Sequence, residues 1–203
     1  MLIAEVHDIL NSNMFSTSPN LIRAWEDVQA AIAAVDWPHG SGKFTIYPES
    51  GKKRGQGNGV DPIKKPCMSV LKRKGWLTET MPDLGGTVIR PGDLDALKET
   101  VEGFVAFEWE TGNISSSHRA LNKLFLTMQE TNILGGFLVV PGNKLKKYLT
   151  DRIGNIGELI PYFPLWRSLV GIKGGLRIVV VEYDDTSFDV PKIPKRTDGR
   201  ALA

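Results

Sequence analysis

Residues 104–119 read FVAFEWETGNISSSHR and combine a strand pattern, two acidic residues and the start of a helix. Up to position 109 the side chains alternate with period two, which predicts a strand. Burying an unpaired carboxylate is costly, so two glutamates on a largely apolar strand are expected to hold a cation or share a proton. A hard divalent ion suits such a pair best. The two faces of the strand would carry Val105, Phe107 and Trp109 on one side and Ala106, Glu108 and Glu110 on the other.

The residues after this strand predict a break followed by a helix. Thr111-Gly112-Asn113 ends the strand, and the serines at 115–117 offer hydroxyl groups that can cap a helix N-terminus. Apolar residues then recur at helical spacing from Ala120 to Met128. The acid pair is therefore expected to lie next to a helix N-terminus.

Length and composition indicate a single domain over residues 1–203, with a formal net charge of +2 and a pI near 8.6. This mildly basic balance neither requires nor excludes a polyanionic partner. Cys67 is the only cysteine, and the N-terminal sequence lacks the basic and long apolar regions of a signal peptide. The apolar runs are too short to cross a bilayer. We expect a cytoplasmic protein without membrane association, with a basic, mobile C-terminal tail over 190–203.

The rest of the chain carries further helix and strand signals. Ser18-Pro19 is expected to start a helix, because apolar residues recur at spacings of four and three from Leu21 to Val35. Further helices are predicted from Asp61 and over 144–151, the latter with Asn143 as its cap. Strands are predicted at 44–47, 137–140 and 176–183, and the segment 156–171 is expected to expose Tyr162, Phe163, Leu165 and Trp166.

Residues 93–102 allow two interpretations. Asp93 could cap a helix here, and residue propensity favours that helix. Alternatively, a strand could turn back at Glu102-Gly103 into the acidic strand. The hairpin alternative would place Asp95 opposite Glu110, beside the acid pair.

A Gly-rich segment at 49–59 carries three consecutive basic residues, Lys52, Lys53 and Arg54. Its composition is typical of a solvated loop, and that interpretation is favoured when the segment is taken alone. The other interpretation is that the three side chains contact phosphate groups.

The sequence around the acid pair resembles that of a known family. The segment FEWETGNISSSHRALNKL at 107–124 is similar to the active-site strand and following helix of BamHI-like type II restriction endonucleases, which belong to the PD-(D/E)xK nuclease superfamily. The resemblance covers roughly residues 60–200 and is strongest over 104–163. Further matching segments keep the same order: PIKKPC at 62–67, YLTDR at 148–152, ELIPYF at 158–163, and VPKIPK at 190–195 with Asp198-Gly199.

The resemblance implies a restriction-endonuclease-like α/β fold, with a central mixed β-sheet flanked by helices on both sides. It implies a homodimer that uses Mg²⁺, or Mn²⁺ in its place, to hydrolyse both strands of double-stranded DNA. The implied target is a palindromic, GGATCC-like sequence, cut to leave 5′-phosphate ends. Functional pairing with a cognate DNA methyltransferase is also implied.

The resemblance implies active-site roles for individual residues of this chain. Glu108 and Glu110 stand at the family's paired glutamates, and Glu79 at its additional active-site glutamate. Asp95 matches the metal-binding aspartate, with Asp93 as the alternative. The implied metal ligands are Asp95, Glu108, Glu79 and the backbone carbonyl of Phe107 or Trp109.

The family's DNA contacts are carried over in the same way. Chemistry supports an adjacent aspartate and arginine as readers, since a guanidinium can bind guanine O6 and N7 while a carboxylate accepts from cytosine N4. The other interpretation of Asp151-Arg152 is a local surface ion pair, and Asn113 could equally be a plain helix cap. The implied DNA-binding residues are Lys64, Asn113, Ser115, Arg119, Asp151, Arg152, Arg196 and Asp198.

We therefore expect a type II site-specific deoxyribonuclease in which Glu110 orients or deprotonates the attacking water. The alternative is a sequence-specific DNA-binding protein of the same fold without cleavage activity. A structural nucleoid protein is disfavoured, because it should be more basic and has no need for two glutamates on a buried strand.

Overall fold

The computed structural model describes residues 1–53, 55–80, 92–150 and 152–195. Its strands are β1 Leu2–Leu10, β2 Thr45–Ile46, β3 Leu77–Thr80, β4 Leu94–Thr100, β5 Gly103–Trp109, β6 Ile133–Pro141, β7 Gly175–Glu182 and β8 Asp185–Thr186. Six of them form one sheet in the order β1-β7-β6-β5-β4-β3, and β2 pairs with β8 in a small second sheet.

The main sheet is mixed. Its central strands β5, β6 and β7 run parallel, whereas β1 pairs antiparallel with β7, and β4 pairs antiparallel with both β5 and β3. Parallel strands are usually covered on both faces, which accounts for the continuous apolar run at 137–140 in β6. The predicted mixed central sheet is confirmed.

Helices cover both faces of this sheet, as the sequence predicted. On one face α2 and α3 pack over the side chains of Val105 and Phe107, and on the other α4, α5 and α6 pack over Ala106 and Leu138. None of the helices in the described ranges is long and apolar enough to cross a membrane. The helices are α1 Met14–Thr17, α2 Pro19–Ala33, α3 Asp61–Arg73, α4 Ile114–Glu130, α5 Ile156–Leu159 and α6 Phe163–Arg167, with 3₁₀ turns at Leu145–Tyr148 and Ile160–Tyr162.

Two adjacent glycines in β6 let α2 and α4 pack directly on opposite faces of the sheet. A Cβ atom on Gly135 would lie 2.7 Å from Cδ2 of Leu21 in α2, and one on Gly136 would lie 3.2 Å from Cδ2 of Leu124 in α4. Because cores are close-packed, a larger residue at either position would push a helix outward. In the structure without DNA, α4, which begins beside the acidic strand, is therefore seated closely against β6.

The ambiguous segment 93–102 is largely strand β4, so the helix that propensity favoured is wrong. In the hairpin of β4 and β5, Thr100 pairs with Gly103, and the two residues between them form the turn. The turn expected at Glu102-Gly103 is therefore displaced by one residue. A one-residue displacement of a hairpin turn changes the partner of every strand residue by two positions.

The corrected register changes the neighbour of Asp95. Ala96 pairs with Phe107, and the next pair along the same register is Asp95 with Glu108. The expectation that Asp95 lies opposite Glu110 is therefore wrong. The end of β4 thus brings Asp95 next to Glu108, and the Asp95 side chain accepts from the backbone N–H of Trp109 beside it.

The helix after the acidic strand begins earlier than the serine run suggested. α4 begins at Ile114, and Asn113 is its N-cap, because the Asn113 side chain accepts a hydrogen bond from the Ser116 N–H at 3.0 Å. The serines at 115–117 lie inside the first turn and a half. The interpretation of Asn113 as a cap is thus confirmed.

Two other local expectations are wrong. The predicted helix over 144–151 is only the 3₁₀ turn Leu145–Tyr148, whose first amides donate to the carboxylate of Glu182 on β7 rather than to Asn143. In the segment 156–171, Phe163 and Trp166 are buried, because they pack against the sheet with α4. Tyr162 and Leu165 are exposed as expected.

Candidate active site

Three acidic residues lie in one row across β3, β4 and β5. Thr78 pairs with Ala96 and Thr80 with Leu94, which places Glu79 of β3 across from Asp95 of β4. On its other side Asp95 lies across from Glu108 of β5, as the hairpin register requires. Two expected catalytic residues therefore flank the third. Their proximity follows from strand pairing and not from their separation in sequence.

Asp95 is held by contacts on both of its carboxylate oxygen atoms. The backbone N–H of Trp109 donates to Oδ2 at 2.7 Å, and the Lys64 ammonium from α3 contacts Oδ1 at 2.5 Å. Hydrogen bonds to both oxygen atoms fix the orientation of this carboxylate toward β5. Lys64, which the family resemblance implied as a DNA contact, thus lies on the acidic row.

Glu108 is almost fully buried, with 4% of its surface exposed. Burial first, and then the negative charge of Asp95, raise the pKa of its carboxyl to about 7, although Lys123 and Lys64 act to lower it. The Lys123 ammonium from α4 forms an ion pair with Oε1 of Glu108. Lys123 was not singled out from the sequence; the only available signal is its position four residues after Arg119, on the same helical face.

Glu110 lies just past the end of β5 and is half-buried. Its Oε1 accepts a hydrogen bond from the Gly112 N–H at 2.5 Å, so the side chain curls back over its own turn. Burial is the main cause of its raised pKa, and Asp95 adds to it, while the Gly112 hydrogen bond, Lys64 and Arg119 lower it. A carboxylate with a raised pKa is a better proton acceptor than an ordinary one.

Glu79 borders a cavity of about 240 Å³ that Lys64 and Asp95 also line. Its backbone φ of +52° lies in the left-handed region, which is uncommon for residues other than glycine and costs on the order of 1 kcal/mol. The Glu79 side chain is exposed, in contrast to Glu108. Its implied roles in catalysis and metal binding stay predictions.

The donor atoms of this site fit a hard divalent ion. Asp95 and Glu108 offer carboxylate oxygen atoms, and burial disfavours the charge on Glu108 unless a cation lies beside it. Among the residues that the structure describes, no three His, Cys, Asp or Glu side chains are grouped closely enough to hold a metal ion alone. A bound ion would complete its shell with backbone or water oxygen atoms, and the Phe107 carbonyl is the implied candidate.

The implied DNA readers of α4 project from its first turns. Asn113, Ser115 and Arg119 are exposed, and Asn113 also caps the helix. The segment with Arg152 lies against this helix start, since Asn113 forms an isolated bridge with Ile153. Arg152 is exposed and has a left-handed backbone φ of +61°. Asp151, Arg196 and Asp198 lie outside the described residues.

Gly154 is the closest point of contact between the Arg152 segment and α4. Its N–H donates to the Gly112 carbonyl at 2.8 Å. A Cβ atom on Gly154 would lie 1.9 Å from Oγ of Ser117 and 3.0 Å from the Asn113 carbonyl oxygen. Only glycine allows this approach, so the spacing of the two sets of candidate readers depends on this residue.

Replacing Gly154 with alanine is expected to lower the free energy of unfolding by about 1–3 kcal/mol and to weaken specific DNA binding, because the added methyl group displaces the Arg152 segment. Ser117→Ala is the matched control. The Ser117 hydroxyl is buried without a hydrogen-bond partner in the described part of the chain, so its removal should change stability by less than about 1 kcal/mol. Urea unfolding measures both effects. The double variant should regain part of the loss, and a Gly154→Ala protein with wild-type stability would contradict the packing argument.

The basic segment at 49–59 is held in place at several points. Gly51 N–H donates to the Lys147 carbonyl at 3.0 Å, and Asn58 N–H donates to the Tyr148 carbonyl at 2.7 Å. The Asn58 side chain is fully buried and also accepts from Ile193 N–H. The segment is a loop with exposed lysines, as the solvated-loop interpretation expected, and its backbone is anchored to residues 147, 148 and 193.

This ordering places basic side chains beside the candidate readers. A cavity of about 230 Å³ is lined by Lys52 from the segment, Lys146 and Lys147 from the 3₁₀ turn, and Arg152. Lys53 is exposed nearby in the chain, and Arg54 lies outside the described residues. A concentration of positive charge next to base-reading groups suits a phosphate backbone.

A mixed sheet covered by helices, an acidic row across three of its strands and an adjacent basic cavity define a nuclease of the restriction-endonuclease fold. The fold is similar to the crystal structure of restriction endonuclease BglII complexed with a DNA 16-mer, with a TM-score of 0.63 and 12% sequence identity. That match covers 91% of this chain and 79% of the BglII chain.

The chain belongs to the BamHI family of restriction endonucleases, whose family model, described as restriction endonuclease BamHI, matches residues 1–200. It is 43% identical over 202 residues to the type II restriction enzyme OkrAI of Oceanobacter kriegii, covering 100% of both chains. It is 35% identical over 185 residues to the type II restriction enzyme BamHI of Bacillus amyloliquefaciens, covering 87% of this chain and 82% of that enzyme. The protein is a type II site-specific deoxyribonuclease, and the expected enzyme class is confirmed.

Proposed function

We propose that this deoxyribonuclease uses Mg²⁺ to hydrolyse both strands of a palindromic, GGATCC-like sequence and leaves 5′-phosphate ends. The observation that carries the proposal is the row of Glu79, Asp95 and Glu108, with one member almost fully buried. Burying a carboxylate charge is costly unless a cation lies beside it. A row of acidic residues with a buried member therefore favours the binding of a cation. A protein that only binds DNA has no need of it.

The side chains divide the chemical work by position. Asp95 and Glu108 hold the ion, which supplies Lewis-acid polarisation of the scissile phosphate when bound. Glu110 orients or deprotonates the attacking water, a role that its raised pKa favours. Lys64 holds the Asp95 carboxylate in its orientation. Water attacks phosphorus as the bond to the 3′ oxygen breaks, so the phosphate stays on the 5′ end.

The proposed reading of bases begins at the α4 N-terminus. Asn113, Ser115 and Arg119 are exposed there, and Arg152 is tied to the same place through the Ile153 bridge. Arg152 would bind guanine O6 and N7 while Asp151 accepts from the paired cytosine N4. Lys52 and Lys147 would contact the phosphates next to the bases that Arg152 reads.

The test is digestion of plasmid DNA with Mg²⁺, with Mn²⁺ and in EDTA, followed by sequencing of the ends. We expect cleavage only with a divalent ion, at one palindromic sequence, with phosphate retained on the 5′ ends. Full cleavage in EDTA would refute the metal-dependent mechanism. Specific retention of the plasmid in Ca²⁺ without any cleavage in Mg²⁺ would favour the alternative, a DNA-binding protein of the same fold.

We propose that the enzyme acts as a twofold-symmetric dimer, because one set of readers contacts only half of a palindrome. The candidate interface is the surface formed by α4 and residues 160–170. The rings of His118 in α4 and Tyr162 pack edge to face, with their centroids 4.7 Å apart. Leu165 and Val170 expose 60% and 91% of their surfaces. An exposed apolar surface of this kind favours association.

Leu165→Asp is expected to shift the protein toward a monomer in sedimentation velocity, because it places a charge in the apolar interface. Val101→Asp is the matched control. Val101 is 98% exposed at the β4–β5 turn, so its change should leave the sedimentation coefficient unaltered. A wild-type protein that sediments as a monomer on specific DNA at micromolar concentration would refute the dimer.

Arg152→Ala and Lys52→Ala are expected to affect DNA binding in different ways. Arg152→Ala should cost about 1–3 kcal/mol of discrimination per bidentate contact, measured in Ca²⁺ as the ratio of specific to non-specific affinity. Lys52→Ala should weaken both kinds of binding and lower the salt slope by about one unit. Lys53→Ala should behave like Lys52→Ala if it also meets a phosphate.

Lys173→Ala is the control for these variants, because residue 173 precedes β7 at the end of the sheet away from Trp109. Its binding should match the wild type. If Arg152→Ala instead lowered specific and non-specific affinity equally and reduced the salt slope, Arg152 would be a backbone clamp. Its placement at base edges would then be wrong.

A further inference from the structure

Lys123 links the DNA-reading helix to the acidic row. Its side chain is 13% exposed, and its ammonium forms an ion pair with Oε1 of Glu108. The same ammonium donates to the Asp93 carbonyl oxygen at 2.6 Å, just before β4 begins. One residue of α4 thus bridges the acidic ends of both strands of the hairpin.

The N-terminal half of the same helix carries candidate readers. Asn113 caps α4 and Arg119 lies one turn before Lys123, so the cap and the ammonium are separated by roughly 15 Å of helix. A helix of 17 residues that packs directly on β6 moves largely as a unit. A small displacement of α4 on binding DNA would therefore change the distance between the Lys123 ammonium and the Glu108 carboxylate.

The Lys123 ammonium also occupies a position that a divalent ion needs. Glu108 is buried, so its charged form requires a cation nearby, and Lys123 supplies one in the protein alone. An ion bound to the same carboxylate would be repelled by an ammonium in contact with it. The ion pair between Lys123 and Glu108 therefore weakens the binding of a divalent ion to Glu108.

We propose that Lys123 is a positioning residue that holds the cation position on Glu108 in the DNA-free enzyme and yields it to the divalent ion when α4 docks on the recognition sequence. The proposal rests on the metal-dependent function proposed above and adds the coupling between reading and metal binding. Linkage makes this coupling reciprocal: the recognition sequence raises affinity for the ion by the factor by which the ion raises affinity for that sequence.

The first experiment uses the protein without DNA. Ca²⁺ affinity is measured from the rise in thermal unfolding midpoint with ion concentration, for the wild type, Lys123→Met and Lys123→Arg. Removing the competing charge in Lys123→Met should tighten Ca²⁺ binding by about tenfold, whereas Lys123→Arg should stay near the wild type. Equal Ca²⁺ affinity in the wild type and Lys123→Met would overturn the proposal.

The second experiment separates coupling from plain electrostatics. Ca²⁺ affinity is measured again by calorimetry in the complex with a duplex that carries the sequence found by plasmid digestion. Because Lys123 has already left Glu108 in that complex, Lys123→Met and wild type should now bind Ca²⁺ with similar affinity. The same tenfold gain in the free protein and in the complex would show that Lys123 never leaves, and would overturn the coupling.

Two controls keep the outcomes distinct. In Lys123→Met/Glu108→Gln the ion pair is replaced by neutral groups of similar size, so the protein should fold and should lose the gain in Ca²⁺ affinity. A retained gain would place the Ca²⁺ site elsewhere and overturn the proposal. If the wild type fails to cut plasmid DNA with any divalent ion, the proposed function fails, while the free-protein titration still decides whether Lys123 holds the cation position.

Discussion

Replacing Glu108 with alanine is expected to slow DNA cleavage by about a thousandfold or more, which corresponds to about 4 kcal/mol of lost transition-state stabilisation. Glu108 is the most buried member of the acidic row and lies beside Asp95 in the strand register. In the proposed metal site, its removal would delete one of the two charged ligands. Cleavage of supercoiled plasmid under single-turnover conditions in Mg²⁺ measures the effect.

Binding and a matched control show whether this loss is chemical. Glu108→Gln keeps the shape of the side chain and should be almost as inactive, while specific binding in Ca²⁺-free buffer stays intact or improves, because a negative charge near the scissile phosphate is gone. Glu99→Ala changes an exposed glutamate on β4 and should cut at the wild-type rate. A Glu108→Ala protein with a near wild-type rate would exclude Glu108 from the metal site.

The elements that the sequence predicted well are those whose signals are local. α2 begins at Pro19 with Ser18 as its cap, because the Ser18 hydroxyl accepts from the Leu21 N–H and the apolar residues recur at helical spacing. β5 and the middle of β6 follow from continuous or alternating apolar residues between turn residues. These segments carry enough information within themselves to define their structure.

The sequence does not predict the hairpin register, because Gly103 carries the signal of a turn residue. Its backbone φ of +145° suits glycine, but the tighter reason for glycine is a contact outside the hairpin. A Cβ atom at Gly103 would lie 2.3 Å from the Asn132 carbonyl oxygen, at the end of α4. Gly103 therefore begins β5 and accommodates Asn132, and the turn moves one residue earlier.

Other features that the sequence did not predict depend on partners that are distant in sequence. The 3₁₀ turn at Leu145–Tyr148 is anchored by Glu182, and the segment after Glu49 is anchored through Asn58 to Tyr148 and Ile193. Lys123 meets Glu108 only because α4 folds back over the sheet. The family resemblance predicted the acidic residues of the site, whereas the contacts of Lys64 with Asp95 and of Lys123 with Glu108 are set by the packing.

Asp95→Ala is expected to abolish cleavage, whereas Asp93→Ala should retain at least about a tenth of the wild-type rate. Asp95 lies in the acidic row, with Lys64 on one oxygen atom and the Trp109 N–H on the other. Asp93 has an exposed side chain, and its contact with the site is its backbone carbonyl, which accepts from Lys123 and which alanine keeps.

Asp95→Asn sharpens this comparison. An asparagine oxygen can still accept from the Trp109 N–H, so the β4–β5 contact survives, but the charge that pairs with Lys64 and is proposed to bind the ion is lost. We expect a folded, inactive protein whose unfolding midpoint no longer rises with Ca²⁺ as the wild type's does, while Asp93→Ala keeps that rise. The opposite pattern, an inactive Asp93→Ala beside an active Asp95→Asn, would move the metal site to the start of β4 and would mean that the strand register does not select the ligand.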